Sequence, residues 1–237
     1  MSPIPCRLNS FEQARCWLAT CLNSHSRCDG AQGNELPIRL IKIVREGCTL
    51  SALLCESREL PTDIRYCTLS HCWGEVPFLT LREENISQMK HSIPIGQLPK
   101  VFQDALLITF ELGFNYRWID SLCIIQNSRM SSDWLRESST MDRVYRNCVC
   151  NLAATGFHDG QEGLLLPGYS RELYPPIVDF AHLWNIPGPL SYHLLSETDW
   201  NQDIISSPLR KRALVCQEQI MVGKLCLSCF FYCAVRK

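Results

Sequence analysis

Between about residues 64 and 155, strand patterns and helix patterns alternate, and that alternation constrains the fold more than any other feature of the chain. Ile64–Ser70 (IRYCTLS) reads as a strand. Lys100–Leu112 reads as a helix: Val101, Ala105, Ile108 and Leu112 share one face, and Gly113 sits where a left-handed residue ends a helix. Tyr116–Asp120 (YRWID) is a short strand that Leu122–Ile125 continues, Trp134–Arg146 a helix with Trp134, Met141 and Tyr145 on one face, and Cys148–Ala154 (CVCNLAA) another strand. Such an order predicts an α/β fold with a mostly parallel central sheet flanked by helices.

The flanks are less regular. Ser10 opens a helix carrying Phe11, Ala14, Leu18 and Cys21, a polar loop spans Asn23–Glu35, and Pro37–Val44 (PIRLIKIV) reads as a strand. Thr80 with Glu83 opens a short polar helix through Lys90. These readings divide the chain into a leader (1–63), a main domain (64–219) and an atypical Cys-rich tail (220–237) expected to add little to the fold.

Apolar residues make up 46% of the 237, enough for a real core. A net charge of -1 leaves no electrostatic footprint for nucleic acid or an anionic membrane. The 15 cysteines are odd in number, mostly within apolar segments, and no apolar signal region precedes them. That usage predicts reduced thiols in a cytoplasmic protein. No run reaches the roughly 18 apolar residues of a membrane span; Leu225–Val235 is too short.

Stereotyped enzyme signatures are absent: no GxGxxG, no GxxxxGK[ST], no GxSxG, no HExxH. Cys16, Cys21, His25 and Cys28 have the ligand chemistry of zinc, but Cys16 and Cys21 share a helix face poorly, and no metal site is assigned. The closely spaced Cys226, Cys229 and Cys233 lack polar neighbours and read as buried or unstructured. His71 and Cys123 follow two strand ends, where a Cys–His nucleophile pair is conceivable, with core or cap roles the simpler alternative.

Several segments together resemble a known family. Tyr66–Gly74 (YCTLSHCWG) resembles the opening motif of the fungal heterokaryon incompatibility (HET) domain. IPIGQLPKVFQDALLIT with LGFNYRWIDSLCIIQ, then DWLRESSTMDRVYRNC and AATGFHDGQEGLL, are similar to its later blocks, in order. The likeness runs from about Trp17 to Gln219, departing where Ala213-Leu214 and Cys216 replace the usual residues before Gln217-Glu218. With the register lost after Gln219, the chain reads as a truncated paralogue or a gene model out of frame. The resemblance implies fungal self/non-self recognition ending in programmed cell death, through other incompatibility or receptor proteins or through homo-oligomers. It also implies a fold distantly similar to TIR domains, some of which cleave NAD. That analogy makes NAD a substrate to consider and an NAD glycohydrolase-like hydrolase one reading of the activity. A non-enzymatic signalling module acting by assembly is the other.

Ser70, His71, Trp73 and Gly74 follow a core strand, at the edge where such sheets bind ligands. Trp73 offers a stacking ring and Gly74 a close backbone approach. Cleaving a glycosidic bond needs a carboxylate beside the developing positive charge. Asp120 ends a strand at the same kind of edge, Glu162 lies in the loop after another, and Glu137 is a second choice on a helix whose arginines suggest a solvated face. Ser70, His71, Trp73, Asp120 and Glu162 are expected to line one cleft, with Glu137 outside it.

Overall fold

The fully buried strand β3 (Cys67–Ser70) is the centre of the architecture. The computed structural model of the chain describes residues 10–24, 35–127, 132–155, 159–161, 163–165, 177–179, 191–193, 207–211, 225–228 and 234–235. Helix α1 (Ser10–Ser24) precedes a hairpin of β1 (Arg39–Glu46) and β2 (Thr49–Glu56). After β3 come α2 (Ile86–His91), α3 (Lys100–Glu111), β4 (Tyr116–Trp118), the one-turn helix α4 (Asp120–Cys123), α5 (Ser132–Ser138), α6 (Met141–Asn147) and β5 (Cys150–Ala154). A separate antiparallel pair, β6 (Ile177–Asp179) with β7 (Ser191–His193), and the late strands β8 (Leu225–Ser228) and β9 (Ala234–Val235) complete the described strands and α-helices.

The main sheet runs β2-β1-β4-β3-β5-β8-β9. β3 pairs in parallel with β4 and with β5, and β5 in parallel with β8. β1 is antiparallel to both β2 and β4, and β8 is antiparallel to β9. The expected α/β class holds, but the sheet is mixed rather than mostly parallel. The reason is the β1–β2 hairpin, whose tight turn at Gly47 forces an antiparallel pair onto the edge of β4. Periodicity reports which residues are buried and carries no information about strand direction.

Side-chain alternation along β4 shows how the layers are arranged. Buried Arg117 points to α3, donating to Thr109 Oγ1 (2.6 Å) and to the Ala105 carbonyl (3.0 Å). Its neighbour Trp118 points the other way, meeting Tyr145 of α6 edge-on at 5.6 Å. Helices α3 and α6 therefore cover opposite faces. On the α6 face a polar ladder crosses the buried sheet: Thr68 Oγ1 donates to Asn151 Oδ1 (2.9 Å), and Asn151 Nδ2 donates to Ser70 Oγ (2.9 Å).

Two local expectations change. Leu122–Ile125 does not extend β4, because the chain turns into α4 at Asp120. The expected long helix is broken at Ser139-Thr140 into α5 and α6. Trp134 consequently lies apart from Met141 and Tyr145: it is 46% exposed while they are buried.

The tail also departs from expectation, since β8 takes a place in the sheet beside β5. Without it β5 would present an unpaired edge. Deleting residues 220–237 should lower stability by at least about 2 kcal/mol, the order of a few ladder hydrogen bonds lost together. An unchanged urea midpoint for the deletion variant would contradict the pairing.

Candidate functional site

The connection leaving β3 goes to α3 on one face, and the connection leaving β4 reaches α6 on the other. Adjacent parallel strands whose connections part in this way leave a crevice at their carboxyl ends. His71 and Trp73 lie at the exit of β3, and Asp120 at the exit of β4.

Because Ser70 faces α6, alternation turns His71 towards α3, where it is buried with its ring edge-on to Phe102 at 4.7 Å. Trp73 lies nearly parallel to His71 (10°, centroids 6.4 Å apart), and Phe78 meets both Trp73 (5.6 Å) and Phe102 (5.4 Å) edge-on. Gly74 follows at φ 67, a left-handed conformation that frees the chain to turn out after Trp73.

Asp120 meets this aromatic group. Its Oδ2 accepts from the Trp73 indole Nε1 (3.0 Å), and its Oδ1 accepts from the Ser121 amide (2.7 Å) and lies 3.8 Å from His71 Nδ1. The carboxylate keeps 21% of its side-chain surface exposed. It is thus oriented by two neutral donors while still reachable by a ligand. The indole that orients Asp120 is 47 positions away in the chain.

The third segment reaches the same edge. The Val101 amide, in the first turn of α3, donates to the Gly160 carbonyl (3.1 Å). Buried Asp104 accepts from the Leu165 amide (3.0 Å) and from Lys100 Nζ (2.6 Å). A Cβ at Gly163 would lie 2.6 Å from Asp104 Oδ2, so only glycine permits this approach. The loop after β5 is therefore anchored on α3 at Gly160 and at Leu165, although Glu162 itself lies outside the described residues.

Two expected residues are placed differently. The Ser70 hydroxyl is used in the ladder with Asn151, on the face away from the His71 ring. Glu137 is not on a solvated face; it is 1% exposed. Its Oε1 lies 3.4 Å from Arg39 of β1, which also pairs with Asp133 of α5 and donates through Nε to the Cys123 carbonyl (2.6 Å). Arg143 instead pairs with Glu35 (2.6 Å). Burial pushes the Glu137 carboxyl up to about 7, with Arg39 opposing and Asp133 reinforcing the rise. Arg39 was missed because a lone arginine in an apolar strand looks like an edge charge, and its partners come from residues far along the chain. Burial also pushes the Cys123 thiol up to about 12, which argues against a thiolate nucleophile beside His71. In the Cys16–Cys28 segment, Cys16 is exposed and Cys21 buried, while His25 and Cys28 lie outside the described residues. Among the described residues, no helix is long and apolar enough to cross a membrane, and no group of three or more potential metal ligands occurs.

The fold and site define an α/β domain with a candidate ligand crevice at the switch point of its sheet. The chain belongs to the heterokaryon incompatibility protein (HET) family, whose model matches residues 66–218, from the start of β3 to beyond the β6–β7 pair. Comparison with curated proteins finds no match, and neither does comparison with solved structures.

The raised Glu137 pKa makes a signed prediction. A carboxyl that binds its proton more tightly when folded stabilises the fold below the unfolded value, and that contribution disappears as pH rises through the folded value. Between about pH 4.5 and 7 the protein should lose on the order of 3 kcal/mol through this group. Glu137→Gln mimics the protonated form, so it should exceed wild type in stability at pH 8 and match it near pH 5. Urea midpoints at both pH values read the difference, and a Glu137→Gln protein weaker than wild type at pH 8 would overturn the assignment.

Proposed function

We propose that this HET domain acts in fungal self/non-self recognition as a cytoplasmic effector of cell death, binding an NAD-type dinucleotide in the β3/β4 crevice and cleaving its nicotinamide glycosidic bond. The observation that carries the reading is the partly exposed Asp120 carboxylate, held by Trp73 and the Ser121 amide at the switch point of the sheet. Crevices in this position suit nucleotides, and the half-buried Trp73 ring supplies a surface on which a flat base can stack. The sheet with helices on both faces agrees with a distant likeness to TIR domains.

In the proposed reaction the bond between ribose C1′ and the nicotinamide nitrogen breaks. Nicotinamide leaves neutral, water adds to C1′, and one proton passes to solvent with ADP-ribose as the second product. Positive charge develops on the ribose as the bond opens, and an oriented carboxylate stabilises it without needing to reorganise. Asp120 is assigned that role, with Glu162 as the second carboxylate. His71, Trp73 and Gly74 are assigned to ligand binding. NAD is here a substrate, not a resident cofactor.

One observation favours the assembly reading as well. Helix α5 turns Asp133 and Glu137 inward to Arg39 and leaves Trp134 and Leu135 46% and 58% exposed. An outward apolar pair of this kind suits contact with another incompatibility or receptor protein, or with a second copy of the chain.

Incubating the purified protein with NAD and following nicotinamide release separates the two. Release should occur, Asp120→Asn should slow it by about 100-fold or more, and Trp73→Ala should raise KM about tenfold. Folded protein that releases no nicotinamide, yet still kills yeast in a manner that depends on Trp134 and Leu135, would establish the assembly reading instead.

A further inference from the structure

We propose that Arg39, which lies upstream of the family match, is a positioning residue: it clamps the end of α4 and thereby sets where the Asp120 carboxylate stands in the crevice. Helix α4 is a single turn of 4 residues, too short to hold its own shape. Its placement must come from outside. Arg39 Nε donates to the Cys123 carbonyl (2.6 Å), and the carboxylate of Asp133, paired with the same guanidinium, accepts from the Ile125 amide (2.8 Å). The exit of the turn is thus gripped at an acceptor and at a donor by one buried ion pair. Asp120 is the first residue of that turn, so a shift at Cys123 carries directly to its carboxylate.

Other hydrogen bonds hold α4 as well. The Leu81 amide donates to the Ser121 carbonyl (2.8 Å), and Gln126 Nε2 donates to the carbonyls of Ile124 (2.9 Å) and Asp120 (3.3 Å). They tie the turn to loops, whereas Arg39 ties it to β1, which is paired on both sides. The guanidinium is itself over-determined, with Asp133 and Glu137 both aimed at it from α5. Glu137 Oε2 is buried with no hydrogen-bond partner among the described residues, so that carboxylate is spent on the cation alone. Asp133 is held in turn by Arg136 (2.8 Å), so Arg39 stands in a network fixed from several sides, which suits a group whose geometry must not drift. The β1–β2 hairpin then belongs to the working domain and is not a detachable leader.

The informative variant is Arg39→Lys. Lysine keeps the buried charge for Asp133 and Glu137, but its single ammonium cannot also reach the Cys123 carbonyl as the planar guanidinium does. The readout is the Trp73 indole Nε1–H, which donates to Asp120, observed by NMR in the full chain and assigned with Trp73→Phe. Arg39→Lys should shift that resonance upfield and speed its hydrogen exchange about tenfold, while the Trp118 indole stays in place. An unmoved Trp73 signal in folded Arg39→Lys protein overturns the proposal. If Arg39→Lys does not fold, Asp133→Asn, which loosens the hold on Arg39, takes its place with the same expected shift and the same overturning result. That the positioning matters for turnover rests on the NAD-cleaving reading. There, Arg39→Lys should lower kcat about tenfold with KM within twofold. A wild type that releases no nicotinamide defeats that reading alone, because the indole signal is independent of activity.

Discussion

The parallel trio β4-β3-β5 has to be covered on both faces, and most of the structure is a consequence. The chain steps from β3 to β4 in one direction, then back across β3 to reach β5. Because parallel crossovers share one hand, those two steps must place their helices on opposite faces. Arg117 against α3 and Trp118 against Tyr145 record the outcome one residue apart. A crevice between the ends of β3 and β4 is the geometric remainder of this winding. His71, Trp73 and Asp120 stand at those strand ends.

Covering the sheet also buries charge and polarity, and the buried arginines and the polar side chains of β3 and β5 are answered by partners from other elements. A hydroxyl and main-chain carbonyls receive the donors of Arg117, including the Thr68 carbonyl. Thr68, Ser70 and Asn151 satisfy one another across adjacent strands. Arg39 draws two carboxylates inward from α5, and that requirement turns the helix over, so that its apolar pair faces solvent. The exposure of Trp134 and the burial of Glu137 are therefore one event with one cause. An unpaired buried guanidinium would be far more unfavourable than a misplaced tryptophan.

Much of the site was legible in the chain because its residues sit at strand ends. Trp73 and Asp120 could be assigned to one edge from the order of the elements, without knowing that they touch. The failures share a different cause. Glu137 reads as a surface residue because its sequence neighbours, Arg136 and Arg143, offer ready salt bridges, while its actual partner is 98 positions earlier in the chain. Ser70 sits at the correct edge but on the face of the sheet given over to the Asn151 ladder. Helix α5 could not be told from α6 by periodicity, since the break at Ser139-Thr140 contains neither Gly nor Pro.

The sequence by itself determined the strands around β3, β4 and β5, the helix ending at Gly113, the α/β class and the family, because propensity, period and short motifs act over a few residues. Strand direction, the face each residue meets and the pairing of Arg39 with α5 were decided only by tertiary structure. Those depend on contacts between segments 47 to 94 residues apart. Local pattern fixes how much of a side chain must be hidden. Which partner hides it is settled when the sheet closes its layers and every buried charge has to find a counterpart.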